Sequence, residues 1–408
     1  MKKISLILAV AAAIVLIGCA KDASGVKPID ESAKFTDLKV SDNFDWAMIS
    51  DIKCAFTASH TSKVALATST DAEPFATFMV SEGMKPMVIS VPRTLQTLYV
   101  RYQTQEGTWK SSALPVSETV SFVVPSDSYA YAASRAADNK VMGQVVYPDE
   151  STWGTLLFED YWPAYGDYDF NDMVISYRIE EDLNKEGNVM ALTIKTKVLA
   201  IGGYLPFNFG LSLFGVYSQD IASAEVVLDN KASNKVAISS NRDVTNKVAV
   251  VKMTGLRDNN TRPNTDYTVN TLPNTKPEKF VEANFKITFV NPVEQMFLTM
   301  NELNFFIYQI DNANRHIEIH LGGQKPTAEA FSDYMAIRDA TPLLKGQFKN
   351  YYSNDNLVWA LNVPAAIQHA CEKGNFLEAY PDFKGWVTSN GAQNKDWYKH
   401  GDNSKLLW

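Results

Sequence analysis

Between Phe35 and Pro125 apolar side chains recur at every second position in short runs: Ile52/Cys54/Phe56, Val64/Leu66, Met87/Ile89/Val91, Leu98/Val100/Tyr102 and Val120/Phe122/Val124. A period of two places neighbouring side chains on opposite faces, so each run reads as a strand with one covered face. Turn clusters such as Ser69-Thr70-Asp71-Ala72-Glu73-Pro74 and Gln105-Glu106-Gly107-Thr108 separate them. About seven short strands in ~90 residues is the size and rhythm of an immunoglobulin-like sandwich. Trp46 and Trp109 are candidate core aromatics.

The rhythm stops over 126–146, an Ala-, Ser- and Asp-rich stretch that reads as a linker. A second β-rich region follows, with its clearest strands at Met173–Ile179, Val189–Val198, Lys247–Thr254, Ala283–Val290, Phe305–Ile310 and Ile317–Leu321. Phe285, Ile287 and Phe289 face one way and Asn284, Lys286 and Thr288 the other, as in an antiparallel sheet with one wet face. Residues 255–279, with three prolines and many Asn and Thr, read as a long excursion. The tail changes period: Ile367, Ala370, Cys371 and Phe376 fit a helix over 364–379, and a second short helix is expected over 382–389. The predicted fold is therefore all-β, an immunoglobulin-like sandwich (35–125) joined to a larger, jelly-roll-like β-sandwich (147–408) with a small helical C-terminal tail.

The first residues form a separate unit. Lys2 and Lys3 precede an apolar or small run from Ile4 to Ile17, closed by Leu16-Ile17-Gly18-Cys19. A basic start, a short apolar run and a small-residue end make a signal peptide, here residues 1–18. The run is shorter than the roughly 20 apolar residues a membrane span needs. Small residues directly before a cysteine resemble the bacterial lipoprotein box. That resemblance implies a diacylglycerol on the Cys19 thiol and a further fatty acyl chain, such as palmitate, on its amino group. Two or more chains anchor stably where one does not. The expected mature protein sits on the outer membrane, on its periplasmic or cell-surface face, through a flexible tether at 19–34.

Charge and cysteines narrow the partners. The chain has 38 basic and 46 acidic residues, and losing Lys2 and Lys3 takes the formal net charge from −8 to −10. No basic run of the kind nucleic-acid binding requires is present, which sets that partner class aside. Cys54 alternates with Ile52 and Phe56 and reads as a buried free thiol; its distance from Cys371 suggests no disulfide framework.

The densest group of oxygen side chains runs from Glu159 and Asp160 to Asp167, Asp169, Asn171 and Asp172. Asp167, Asp169 and Asn171 alternate, and in a loop that spacing converges short side chains on one point. Calcium takes about six to eight such oxygens at ~2.4 Å. The start resembles an EF-hand loop, but Asp172 stands where the glycine belongs and Arg178 where the closing glutamate belongs. The competing reading is an acidic turn whose Asp and Asn side chains bond their own backbone. A structural calcium ion held by Glu159, Asp160, Asp167, Asp169, Asn171 and Asp172 is the expectation.

The stretch Gly166-Asp167-Tyr168-Asp169-Phe170-Asn171-Asp172-Met173-Val174 resembles the hallmark of LruC-type domains, β-rich modules on secreted proteins and lipoproteins of Bacteroidetes. Asn304-Phe305-Phe306-Ile307, Glu318-Ile319-His320-Leu321-Gly322-Gly323, Lys325-Pro326-Thr327 and Trp359-Ala360-Leu361-Asn362-Val363-Pro364 follow in the family's order. Ala379-Tyr380-Pro381 and Asp396-Trp397-Tyr398 complete the match over 147–408. The resemblance implies a calcium loop and no particular reaction.

His316, Glu318 and His320 share one strand face, a set that could hold zinc, but the zinc-protease pattern needs different spacing on a helix. A solvated strand face is expected instead. No nucleophile elbow, phosphate loop or dinucleotide glycine pattern occurs, and Gly202-Gly203 and Gly322-Gly323 read as turns. The sequence thus points to a non-catalytic binding, adhesion or structural module on a membrane, with a glycan or another surface protein as partner. The alternative is a polysaccharide-binding accessory protein or a glycan-active enzyme, which would need a pair of close carboxylates.

Overall fold

Seven strands form ahead of Pro125: β1 (Ile49–Thr57), β2 (Ser62–Ala67), β3 (Ala76–Val80), β4 (Met87–Pro92), β5 (Thr97–Gln103), β6 (Trp109–Pro115) and β7 (Thr119–Val123). The computed structural model describes residues 33–131, 140–227, 236–241, 248–259, 268–337 and 350–407. The expected signal peptide, Cys19, nearly all of the tether, part of the expected linker and Trp408 lie outside the described residues. β4-β1-β7 make one layer, with β1 and β7 parallel, and β3-β2-β5-β6 lie in the other. In β5 the alternation is complete: Leu98, Val100 and Tyr102 are buried, and the residues between them are half covered. Phe56 of β1 meets Phe78 of β3 with ring centroids 5.9 Å apart, joining the layers. Trp46 is buried, whereas Trp109 is 49% exposed and contributes little to a core.

The second layer continues across the expected linker. β8 (Gly143–Tyr147) lies inside 126–146 and pairs with β3 on one side and with β10 (Met173–Leu183) on the other. The Val146 N–H also donates to the Phe75 carbonyl at 2.7 Å. Only Gln144 of β8 is partly exposed, with Gly143, Val145, Val146 and Tyr147 all buried, so the strand carries no alternation to mark it in the sequence. The remaining strands are β9 (Gly154–Phe158), β11 (Asn188–Ala200), β12 (Asn208–Leu213), β13 (Ile221–Val227), β14 (Ala237–Ser240), β15 (Ala249–Thr254), β16 (Ala283–Glu294), β17 (Leu303–Ile310), β18 (His316–His320) and β19 (Ala360–Val363). One sheet therefore runs β13-β16-β11-β10-β8-β3-β2-β5-β6, with β9 and β19 branching from β10. A five-stranded sheet, β14-β15-β12-β17-β18, covers its other end. Phe305 packs between Tyr177 of β10 and Phe209 of β12, at centroid distances of 5.6 and 5.7 Å. In β16, Phe285 and Ile287 are fully buried while Asn284, Lys286 and Thr288 are partly exposed, as the alternation predicts.

The result is an all-β protein of sandwich-like layers, with one buried cluster reaching from Ile49 to Ala360. From Lys34 onward the chain is one compact unit. The helical part is small, α1 (Phe376–Ala379) and α2 (Pro381–Thr388). The helix expected over 364–379 is largely absent: His369–Ala370 instead pairs as a short strand with Leu406–Leu407. Among the described residues no helix is long and apolar enough to cross a membrane. Cys54 is buried, Cys371 is half-buried, and the two are not joined by a disulfide; burial pushes the Cys54 thiol up to about 12.

One buried acid makes the fold pH-sensitive. Glu181 of β10 is 4% exposed beneath Gln295, and its Oε2 has no partner. Burial pushes its carboxyl up to about 8, against a hydrogen bond from Gln295 and with help from Asp51. Between the unfolded value, about 4.5, and 8 the folded chain holds the extra proton, so stability falls as pH rises through that window. Glu181→Gln should remove this slope and stabilise the chain at pH 7 by about 3 kcal/mol. Melting of both proteins from pH 4.5 to 8 checks it; parallel curves would show that Glu181 ionises as freely folded as unfolded.

Candidate metal centre

β9 and β10 pair antiparallel, with Phe158 opposite Met173, so residues 159–172 form the loop that joins them. Its backbone alternates in hand: Tyr168 and Phe170 adopt left-handed φ values of 56° and 57°, while Asp169 between them does not. Left-handed φ is costly for bulky residues and needs surrounding structure to hold it. Glu159 provides that hold. Its Oε2 accepts from the Tyr168 N–H at 3.2 Å and its Oε1 from the Phe170 N–H at 2.6 Å. Backbone amides converging from an alternating segment make an anion-binding hollow, and here the anion is the chain's own carboxylate. Glu159 is fully buried, and its N–H donates to the Trp359 carbonyl.

The alternation also sorts the side chains. Tyr168 and Phe170 are buried against Phe35, at centroid distances of 4.5 and 5.1 Å, in an aromatic group that includes Phe376. Asp167, Asp169 and Asn171 take the other side. Glu159, Asp167 and Asp169 each offer an oxygen, all within 4.8 Å of one another. Asp167 is exposed, Asp169 is 1% exposed and Asn171 is fully buried. Asp169 accepts from the Asn171 N–H and from the Lys373 N–H. Asp172 accepts from the Asp160 N–H at 2.7 Å, and Asp160 from the Leu205 N–H at 3.3 Å. Of the six residues expected from the sequence, Glu159, Asp167 and Asp169 thus bring oxygens close to one another, while Asp160, Asn171 and Asp172 lie along the adjoining backbone by Gly202 and Gly203.

Two neighbours were not legible in the sequence. Gly202 and Gly203, read as an ordinary turn, lie against the cluster: the Gly202 N–H donates to the Asn171 carbonyl and the Gly203 N–H to that of Asp172. A Cβ on Gly202 would stand 1.9 Å from Asn171 Oδ1 and 3.0 Å from Glu372 Oε2; one on Gly203 would stand 2.2 Å from Asp160 Oδ2. Only glycine leaves that space open. Glu372, from the tail, is the other addition, and no local pattern marks it.

The electrostatics are those of crowded like charges. Burial, then Asp172, Asp169 and Asp167, push the Glu159 carboxyl well above the usual carboxylate range, against the Phe170 hydrogen bond. Burial, then Asp167, Asp172 and Glu372, do the same to Asp169. Burial and Asp160 push Asp172 up to about 8, and burial and Asp167 raise Glu372. Arg257 faces Asp160 and Asp172 and donates to the Leu205 and Gly203 carbonyls. Carboxylates, an amide oxygen and a small open space suit a hard divalent cation, which would replace repulsion with attraction.

The second candidate is differently built. Glu318 and His320 are buried, not solvated, because the chain after Gly323 and Tyr351 covers that face. His320 bonds Asn304 Oδ1 at 2.7 Å and Glu318 Oε2 at 2.8 Å, and Thr327 donates to Glu318 from its N–H and its hydroxyl. Burial opposes the charge on Glu318, but the bonds from His316, His320 and Thr327 hold it below the usual carboxylate range. A carboxylate so fully bonded within the fold has no spare geometry for zinc.

An all-β chain of sandwich-like layers with an acidic loop is thereby defined. Residues 187–398 match the family described as Domain of unknown function (DUF4842), over half of the chain, and the chain belongs to that family. The matched span contains Gly202, Gly203 and Glu372 and begins after the 159–172 loop. A crystal structure of a candidate lipoprotein from Bacteroides ovatus is similar with a TM-score of 0.63, at 20% identity, covering 85% of this chain and 98% of that one. At that identity the likeness concerns the fold. No curated protein matches.

Proposed function

We propose that the mature chain is a non-catalytic, lipid-anchored module of the bacterial outer membrane, built for binding or structure and stabilised by calcium at the β9–β10 loop. The observation that carries this reading is the crowd of carboxylates in the loop, Glu159 and Asp169 buried among them, next to the fully buried Asn171, whose Oδ1 has no hydrogen-bond partner. Such a cluster is unfavourable by itself and becomes favourable around a cation. The motif Gly166-Asp167-Tyr168-Asp169-Phe170-Asn171-Asp172 supports the LruC-type assignment for 147–408. Anchoring is supported by the apolar run closed at Gly18-Cys19, and by the lipoprotein name carried by the similar Bacteroides ovatus structure. A tether at 19–34 would hold the sandwiches clear of the lipid surface, where a glycan or another surface protein can be reached.

Replacing Cys19 removes the one attachment point for lipid. Cys19→Ala should leave an uncleaved precursor or a protein released from membranes, and should abolish incorporation of labelled palmitate. Detergent-phase partitioning and labelling are read together, so a precursor held by its uncut apolar run is told apart from a lipidated one. Palmitate labelling of Cys19→Ala at the wild-type level would refute the anchoring.

A further inference from the structure

We propose that the cation is held by the C-terminal tail as well as by the loop, with Glu372 as a ligand, so that the ion clasps residues 369–407 onto the β9–β10 loop. The inference rests on the reading that a divalent cation occupies that loop. Asn171 is fully buried and its Nδ2 donates to the Ala370 carbonyl at 3.2 Å, which fixes the orientation of the amide. Its Oδ1 therefore points, without a partner, to where Glu372 Oε2 also ends without one. Both oxygens flank the point that a Cβ on Gly202 would occupy. Two buried acceptors facing each other need something positive between them. With Asp167, Asp169 and Asp172 within electrostatic reach of Glu372, a divalent cation answers that need better than a water does.

The chemistry of the loop asks for the same residue. A loop that opens Asp167-x-Asp169-x-Asn171 lacks its local closing carboxylate, because Arg178 stands in that place. Glu372 supplies a carboxylate from the far end of the chain. Its backbone is fixed on both sides: the Glu372 N–H donates to the Thr271 carbonyl, and the Lys373 N–H to Asp169 Oδ2 at 2.6 Å. Four residues on, Phe376 packs on Phe170 at 5.0 Å and reaches Phe35 at 6.4 Å. The ion thus stands where the loop, the tail and the segment that follows the tether meet. Removing it should loosen the tail first.

The test uses the lipidated chain in detergent, stripped with chelator and titrated with calcium chloride by calorimetry, alongside Glu372→Gln and Glu372→Asp. Hydrogen exchange over 369–407 is measured on wild type with calcium and with chelator. We expect Glu372→Gln to weaken calcium binding about tenfold or more, Glu372→Asp to recover part of that loss, and wild-type tail exchange to speed up in chelator. Wild-type affinity in Glu372→Gln with tail exchange insensitive to calcium would overturn the clasp and leave the loop site standing. Wild type that takes up no calcium would overturn both. Should Glu372→Gln fail to fold, Glu372→Asp and the wild-type exchange still decide.

Discussion

Glu159→Ala is expected to destabilise the calcium-loaded chain by about 3–5 kcal/mol, because two backbone N–H groups lose the carboxylate that accepts from them. Those amides belong to Tyr168 and Phe170, the two residues held at left-handed φ. Without the carboxylate, the backbone hand that turns their rings into the aromatic group and turns Asp167 and Asp169 toward the ion is no longer favoured. Loss at this position therefore spreads into packing, as rings seated against Phe35 and Phe376 come loose. Urea unfolding in calcium would show a lower midpoint for Glu159→Ala, with Glu159→Gln, which keeps one acceptor oxygen, between it and wild type. In chelator the gap should narrow, since the variant also removes one of the mutually repelling carboxylates. Equal midpoints in calcium would mean that the loop conformation is held by its surroundings without Glu159.

The parts legible in the sequence are those in which one residue's neighbours decide its fate. The alternation in β5 and β16 gave both the strand and its buried face, because a sheet with one covered side imposes period two directly. The acidic loop was legible as composition, since six oxygen side chains within Glu159–Asp172 need no knowledge of the rest. What was illegible depends on partners far along the chain. β8 was hidden because it is a central strand that finds β3 about seventy residues earlier, behind a polar stretch that reads as a linker. The helical pattern around Ile367 and Ala370 was overridden by pairing with Leu406–Leu407, and the Ala370 carbonyl is spent on Asn171. Glu318 and His320 alternate as a wet face should, but the chain after β18 folds back over them. Gly202-Gly203 carried the wrong weight for the same reason: their lack of side chains makes room for carboxylates from the 159–172 loop and from Glu372.

If the group around Asn171 holds a cation, removing calcium should have a large effect on the whole chain. An ion that binds only the folded state stabilises it by RT ln(1 + [L]/Kd), about 2.7 kcal/mol at a hundredfold excess over Kd. In a chain of this size that raises the melting temperature by at least roughly 2–4 °C. The effect should vanish in Asp167→Asn/Asp169→Asn, which keeps side chains of nearly the same shape and removes two of the charges that attract the ion. An acidic turn whose side chains only cap their own backbone has no ion to lose, and responds to neither change. The deciding measurement is melting of the wild-type chain in calcium and in chelator, paired with metal analysis of the same samples. The cation reading predicts bound calcium in the first sample, none in the second, and a melting point several degrees lower without it. Identical melting in both, with no metal found in either, would contradict it.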